Sequence, residues 1–533
     1  MNKILCCIII VGLIFSGCRN EKLQFVSAPE ILKNPNESVV LAAVLKFQTN
    51  KPVTTEIILD SEDHSLTLSY DSTYNTSKGL PVLGMKPGRS YQVKLILQSP
   101  GETLAYKKNM IFNTPELPED PVEFPVFKVT TLEKDQIEPG ITLLNPRRRS
   151  LDQARLNINF GMLVAIDEMG EVIWYYRTNY RISDFNILPN GHIAYMTQDF
   201  RLVEIDLLGN EIHSWYAAGR PYDTPQDGTP VKALTFHHDA FPMGNGNYLM
   251  LGSEDRTIEN YYTSETEEFA PRKTQRVMGD VIYEFNPEGE IVWEWHAFDH
   301  LDPMRIGYET FSGYWNRRGF PDVIDWSHAN TVLYDPDDNT IMVNFRYLSS
   351  ILKIDRNTRN IKWIFGEPSG IADNLKSKHI GMEKGDWFWH QHSPSLSPDG
   401  TLFIFNNDNY KAWPFDKISE TTLSYAAAYK INEEARSAEL LWTSRIPGET
   451  GLASFAMGDV DWLERTNNIL VSYGALRPSI EFGYERNWSM IREYTYTRPA
   501  RVVWELHISS SEKNDGQSVG WTIFSAERLD FLF

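Results

Sequence analysis

Histidine is scarce in this chain, 12 among 533 residues, so the positions it takes are informative. Three histidines keep one offset from a turn residue. His238 precedes Asn245 by seven positions, His328 precedes Asp335 by seven, and His392 precedes Asp399 by seven. On an extended strand that interval spans roughly 20 Å, which puts each imidazole at the far end from its turn. If the three strands line one channel, the three rings meet at one mouth. The strand after each turn runs back to that mouth, bringing Arg346, Asn406 to Asn409 and Tyr473 with it.

A guanidinium beside several imidazoles makes a positive pocket suited to sulfate, phosphate or carboxylate. A neutral imidazole can attack an electrophilic sulfur or phosphorus while the remaining cations hold the oxyanions. A metal site is the competing reading, since His237, His238, Asp239, His390 and His392 are all ligating types. Arg346 at the same rim speaks against it by repelling a divalent cation, and no carboxylate cluster is expected there to compensate. The chain has no phosphate-cradling glycine loop, which argues against a nucleotide donor.

The elements that must position these groups repeat. An apolar strand, a turn and a strand ending in Trp recur at Trp174, Trp215, Trp293 and Trp363, with looser copies ending at Trp442 and Trp504. Between them lie tighter hairpins turning at Asn190-Gly191, Asn245-Gly246, Asp335 to Asp338, Asp399-Gly400 and Asn467-Asn468, several of which suit positive φ angles. Two hairpins make a four-stranded blade, and six such units read as a six-bladed β-propeller over 155–533. The terminal stretch from Trp521 is expected to pair with the first copy, around 160–174, and close the ring. Residues 18–114 alternate apolar and polar positions, as a small immunoglobulin- or fibronectin-like β-sandwich does. A Pro/Glu-rich linker and entry segment is expected over 115–154, with Arg147-Arg148-Arg149 as a solvated loop. The fold class is therefore all-β.

The formal net charge of −20 and the absence of a basic stripe argue against nucleic-acid binding. The 15 Trp, 25 Tyr and 27 Phe exclude a disordered chain. Residues 1–17 read as a signal peptide: Lys3, then the uncharged run Ile4 to Phe15. Phe15-Ser16-Gly17-Cys18 resembles a bacterial lipobox, which makes Cys18 the expected lipidation site and the protein an exported periplasmic or outer-membrane lipoprotein. Cys6 and Cys7 lie in the leader, so no intramolecular disulfide is expected.

Phe236 to Asp239, Asp325 to Asn330 with Arg346 eighteen residues beyond His328, Gln391-His392 and Ala526-Glu527-Arg528 together resemble the bacterial arylsulfate sulfotransferase (ASST) family. The resemblance implies a sulfuryl group moved from an aryl sulfate to a phenol through a sulfohistidine, without a nucleotide donor, cofactor or resident metal. It implies His392 as nucleophile, with His328 and Arg346 binding the sulfuryl oxygens and His328 also shuttling the phenolic proton. The family's first histidine falls on His237-His238, of which His238 holds the in-register position. Asn330, His237, Trp389 and Tyr473 are expected to contact substrate, with Trp326, Trp387, Phe388 and Tyr410 as further wall candidates. His390 packs against Trp387 and Trp389 on this reading. A sulfate- or phosphate-ester hydrolase, or a non-catalytic propeller binding an anion or glycan, uses the same rim. The partners are small molecules and a membrane, and a homodimer through the sandwich is compatible.

Overall fold

The computed structural model describes residues 21–149, 159–419, 422–450, 452–477, 487–510 and 519–530. The expected leader, the lipobox and Cys18 lie outside the described residues. Among those residues no helix is long and apolar enough to cross a membrane.

Two compact units divide the chain. The first comprises Met1–Leu32, Ala43–Val82 and Ser90–Asn113; the second holds Lys33–Ala42, Leu83–Arg89 and Thr114–Phe533. The sandwich expected over 18–114 thus yields two short stretches to the other unit. Strands Phe25–Lys33, Ala43–Thr49 and Leu80–Val82 form one sheet of the first unit. Strands Thr54–Asp60, Ser65–Tyr70, Ser90–Ser99, Glu102–Ala105 and Met110–Asn113 form the other. Alternation does the work: Tyr91, Val93, Leu95 and Leu97 are buried and the residues between them are not, as a half-buried strand requires.

In the second unit the described strands fall into six antiparallel blades. From inner to outer strand, the first blade is Gly520–Leu529, Ile141–Arg149, Gly161–Ile166 and Val172–Thr178. The second is Ile182–Ile187, Ile193–Thr197, Arg201–Ile205 and Glu211–Ala217. The third is Ala240–Pro242, Tyr248–Tyr261, Lys273–Phe285 and Ile291–His296. The fourth is Ala329–Asp335, Thr340–Phe345, Ser350–Asp355 and Ile361–Gly366. The fifth is His392–Leu396, Leu402–Asn406, Tyr425–Asn432 and Ser437–Thr443, and the sixth is Asp459–Trp462, Ile469–Leu476, Trp488–Tyr494 and Val502–Ser509. Each innermost strand touches the innermost strand of the next blade, and the sixth touches the first. The unit is a six-bladed β-propeller.

Two expectations need correction. The C-terminal strand enters the first blade, but its partner is Ile141–Arg149 and not the 160–174 hairpin. The expected linker therefore contains a blade strand, and Val126–Leu132 adds a further edge strand to the sixth blade. Arg147 and Arg148, expected in a solvated loop, are buried on that blade strand.

The Trp repeat has a physical cause. Each outer-strand indole donates its N–H to the outer hairpin turn of the following blade. Trp174 donates to the Leu207 carbonyl, Trp215 to Pro287, Trp293 to Arg356, Trp442 to Thr497 and Trp504 to Glu168, at 2.8–3.1 Å. Trp363 does the same with the Glu433 carboxylate at 3.0 Å. A buried indole needs a partner for its one polar atom, and here that partner always lies on the neighbouring blade.

The channel side of the inner strands carries acid. Asp184, Asp239, Asp459, Asp461 and Glu527 come from the first, second, third and sixth blades, a carboxylate cluster that the sequence reading did not anticipate. Burial raises Asp184 to about 6 against the pull of Ser525, the Phe185 amide and Arg147, and burial first, then repulsion from the other carboxylates, raises Asp239, Asp459, Asp461 and Glu527, the last to about 8. Backbone amides of Phe185, Val332 and Val460 hold Asp184, Asp239 and Asp459 in place.

Two measurements follow from this frame. Trp504→Phe should lower the unfolding free energy by about 1 to 3 kcal/mol in denaturant titrations, through a lost donor and lost volume; an unchanged midpoint would remove the indole relay as a source of stability. A raised carboxyl pKa means the folded state keeps a proton that the unfolded chain releases, so stability falls as pH climbs from the ordinary Glu value toward 8. Glu527→Gln should accordingly gain on the parent protein between pH 5 and 8.5. A difference independent of pH would show that Glu527 titrates normally.

Candidate active site

Local backbone geometry aims the imidazoles. His238 lies two residues before the inner strand of the third blade and His328 one before that of the fourth, with φ of 56° and 51°. Left-handed backbone is costly for a residue with a Cβ, about 1–2 kcal/mol, and finding it twice at equivalent positions indicates a constraint on where the side chain points. His390 repeats it at φ 53°, two residues before His392 opens the inner strand of the fifth blade.

The rings converge. His238 and His328 lie edge to face with centroids 4.8 Å apart. His328 stacks on Tyr347 at 4.4 Å, and Tyr314 packs against both His328 and His238. His390 sits against Tyr347 and Tyr410, not against Trp387 and Trp389 as expected. Arg346 is buried with them. It donates to the Glu309 carboxylate and to the Phe455 carbonyl, and its guanidinium also lies 5.3 Å from the Tyr347 ring. Burial works against the charge of both partners, but their attraction prevails, so Arg346 stays cationic and Glu309 is held well below the usual carboxylate range.

Hydrogen bonding fixes which nitrogen of His392 is free. The Asn407 amide nitrogen donates to the carbonyls of Ser454 and Met457, both at 2.8 Å. Its oxygen is therefore the atom facing His392 Nδ1 at 2.5 Å. An acceptor there puts the ring hydrogen on Nδ1 and leaves the lone pair on Nε2. The Met457 amide N–H donates to that Nε2 at 3.3 Å, a long bond that confirms Nε2 as the acceptor nitrogen. Burial first, then Arg346, keeps the His392 pKa well below the ordinary imidazole value, so the ring is neutral at pH 7. Burial and then the neighbouring His328 do the same to His238, and burial and Arg346 push His390 down to about 4.

His328 has a different second partner. Its Nδ1 meets the Asp325 carboxylate at 2.5 Å, and Asp325 also accepts from Trp315 Nε1. A carboxylate-oriented imidazole presents Nε2 for proton transfer. His237 turns its Nε2 to the Gly252 carbonyl and the Asp280 carboxylate and its Nδ1 to His238 Nδ1, 2.9 Å away. It orients His238, the ring that faces His328, and does not itself line the rim.

Three expected contacts are not brought to the imidazoles. Asn330 spends its amide on the Gln391 carbonyl and on Asn344 and Thr331, so it fixes the backbone before His392 and presents nothing to a solute. The Tyr473 hydroxyl is shared with Tyr494 and Ser444 while its ring packs on Phe405 inside the sixth-blade core. Trp389 packs edge to face on Trp413. Among the other wall candidates, Trp326 stacks on Phe298 and bonds Arg305, while Trp387 and Phe388 pack on Phe365; only Tyr410 reaches the rim. The walls are Tyr314, Tyr347, Tyr410 and Phe524, from loops and the last strand, with Glu309 and Asp325 as the anchoring acids. Tyr410 is anticipated from the sequence, whereas Tyr314 and Tyr347 in loops and Phe524 on the last strand have no period or spacing from which to find them. No group of three His, Cys, Asp or Glu among the described residues is disposed to hold a metal ion.

A family model described as Arylsulfotransferase (ASST) matches residues 128–516. Among curated proteins, arylsulfate sulfotransferase AssT of Escherichia coli O6:H1 is 26% identical over 136 residues, 22% of either chain. Arylsulfate sulfotransferase AssT of Lelliottia amnigena is 22% identical over 323 residues, 52% of this chain and 51% of that one. The chain thus spans about half or less of the length of these curated relatives. A solved structure of a protein of unknown function from Bacteroides caccae aligns with 72% of this chain and 99% of its own at 12% identity, with a TM-score of 0.39. That score carries no argument, and the fold stands on the strand pairing above. The family match runs through most of the propeller and includes His238, His328, Arg346 and His392, so the chain belongs to the arylsulfotransferase (ASST) family.

Proposed function

We propose that this protein transfers a sulfuryl group from an aryl sulfate to a phenol, with His392 as the carrier. The observation that carries the reading is the pinned His392 ring: neutral, near Arg346 and His328, with Nδ1–H held by Asn407 and with Nε2 accepting only the Met457 amide at 3.3 Å, a contact the ring gives up when it attacks. In the first half-reaction Nε2 forms a bond to sulfur as the sulfur–oxygen bond to the aryl group breaks. The departing phenolate oxygen takes a proton from Nε2 of His328, which enters this step as the imidazolium paired with Asp325 and leaves it neutral. In the second half-reaction His328 takes the proton of the incoming phenol, whose oxygen forms the new bond to sulfur as the bond to Nε2 breaks. Protons and charge balance over the cycle, and no further reactant is consumed.

The residues divide the work. Arg346 supplies positive charge to the sulfuryl oxygens, and Glu309 fixes its plane. Asn407 keeps the carrier in one tautomer and stabilises the Nδ1–H that becomes more acidic once sulfur is bound. Asp325 orients His328, and His237 orients His238. Tyr314 and Tyr347 remain protonated at neutral pH, the first pushed up to about 12 mainly by burial, and so serve as walls and donors, not as bases. The lipobox-like Phe15 to Cys18 supports export and attachment to a membrane through Cys18.

Mixing the protein with an aryl sulfate alone should add one sulfuryl mass, localised by peptide mapping to His392, and His392→Ala should abolish both the adduct and transfer to phenol. Sulfated phenol as the product supports transfer, whereas free sulfate alone would assign a hydrolase and the absence of any turnover a binding protein. Asn407→Leu should lower kcat by roughly 10- to 100-fold while leaving KM within a fewfold, because it frees the ring to carry its hydrogen on Nε2. An unchanged kcat would show that the tautomer is set elsewhere.

A further inference from the structure

We propose that Arg147, Arg181 and Arg318 form a second anion site beside the rim, which selects aromatic substrates bearing an additional carboxylate, sulfonate or sulfate group. Arg147 lies on the blade strand Ile141–Arg149, and Arg181 immediately precedes the inner strand of the second blade. They are only 7% and 6% exposed. A buried guanidinium ordinarily comes with a carboxylate, since an uncompensated interior charge is strongly destabilising.

Here the carboxylates are missing. Arg147 meets Met457 Sδ at 3.1 Å and the Phe524 ring at 5.6 Å. Arg181 donates to the Gln198 side-chain oxygen, and Arg318 to the Tyr314 carbonyl while covering the Tyr314 ring at 3.5 Å. None of the three has an ion-pair partner among the described residues. Arg147 Nε and Arg181 Nε and Nη2 are buried without any hydrogen-bond acceptor. Burial first, then one another's charge and that of Arg149, lowers the basicity of Arg147 and Arg181. Asp184 acts on Arg147 through space, but its carboxylate is bound to Ser525 and the Phe185 amide. In a chain of net charge −20, a buried excess of positive charge at one place indicates a ligand that completes it.

The cluster joins the rim through three side chains. Tyr314 lies between Arg318 and His238, Phe524 between Arg147 and His238, and Met457 touches Arg147 with its sulfur and His392 Nε2 with its amide. An aromatic ring lying along Tyr314 and Phe524, with one anionic group near Arg346, therefore turns its other end to the guanidinium cluster. The substrate class rests on the sulfotransfer reading; the anion site does not depend on turnover.

The test begins with binding. Calorimetric titration of the full chain with benzenesulfonate and with benzene-1,3-disulfonate should show the second bound about tenfold or more tightly, the worth of one charge-assisted contact pair. The ratio should fall toward one in Arg181→Met and in Arg147→Met, and their thermal midpoints without ligand should equal or exceed the parent's, since each removes an unpaired charge. Equal affinities in the parent protein, binding of neither compound, or a ratio unmoved by the substitutions would overturn the proposal, as would variants that unfold because an internal partner was lost. Transfer assays then place the group: a preference for 4-hydroxybenzenesulfonate over phenol as acceptor assigns it to the acceptor, and a preference for a carboxylated over a plain aryl sulfate assigns it to the donor. Selectivity in neither arm overturns the specificity role. Absence of transfer by the parent protein counts against the sulfotransferase reading, and the calorimetric ratio still decides the arginine site.

Discussion

The architecture depends on a ring of hydrogen bonds from tryptophan. Each outer-strand indole has one donor and is buried, and the acceptor that satisfies it always belongs to the next blade. A sheet with one apolar face has no reason of its own to stop at six neighbours or to keep a fixed angle to them. The indole contacts tie each blade to its successor by a directional bond as well as by packing. Because inner strands then meet in cyclic order, residues at equivalent positions in different blades face a common axis. The imidazoles of three blades meet for that reason, and left-handed backbone at His238, His328 and His390 then turns those rings toward the rim.

That convergence is also an electrostatic problem. Imidazoles and a guanidinium within one buried space repel one another if charged, and burial first, then neighbouring cationic groups, holds His238, His390 and His392 neutral. The structure spends its acids sparingly around them: Glu309 on Arg346, Asp325 on His328, Asp280 on His237. His392 receives an amide in place of a carboxylate. A carboxylate beside Nδ1 would favour an imidazolium, while the amide oxygen favours a neutral ring of one tautomer. The same choice of neutral over charged partners separates His392 from His328, two histidines that hold equivalent positions in the sequence.

Most of the frame was legible in the residues. The Trp-terminated hairpins counted six blades because each indole answers the same structural need, and the constant interval before Asn245, Asp335 and Asp399 located the three rim histidines because a strand converts residue number into distance. What was not legible had no period. The first blade takes its inner strand from the C-terminus and its second from a stretch that reads as linker, so Arg147 and Arg148 passed for solvent-exposed charge. Tyr314 and Glu309 sit in loops whose path is set by distant contacts. Asn330 and Tyr473 carried the right chemistry at the right strand ends, but their polar atoms were claimed by Gln391, Tyr494 and Ser444. Strand register tells which end of a blade a residue occupies, not which way its side chain turns.

The first blade has a temporal consequence. Its inner strand, Gly520–Leu529, is made after the four strands of every other blade, while its partner Ile141–Arg149 is made before them. A nascent chain holding only the earlier strands has a gap in the ring and lacks Phe524, so the pocket stays unfinished and open to water. The pocket is therefore complete only once Gly520–Leu529 has joined the first blade.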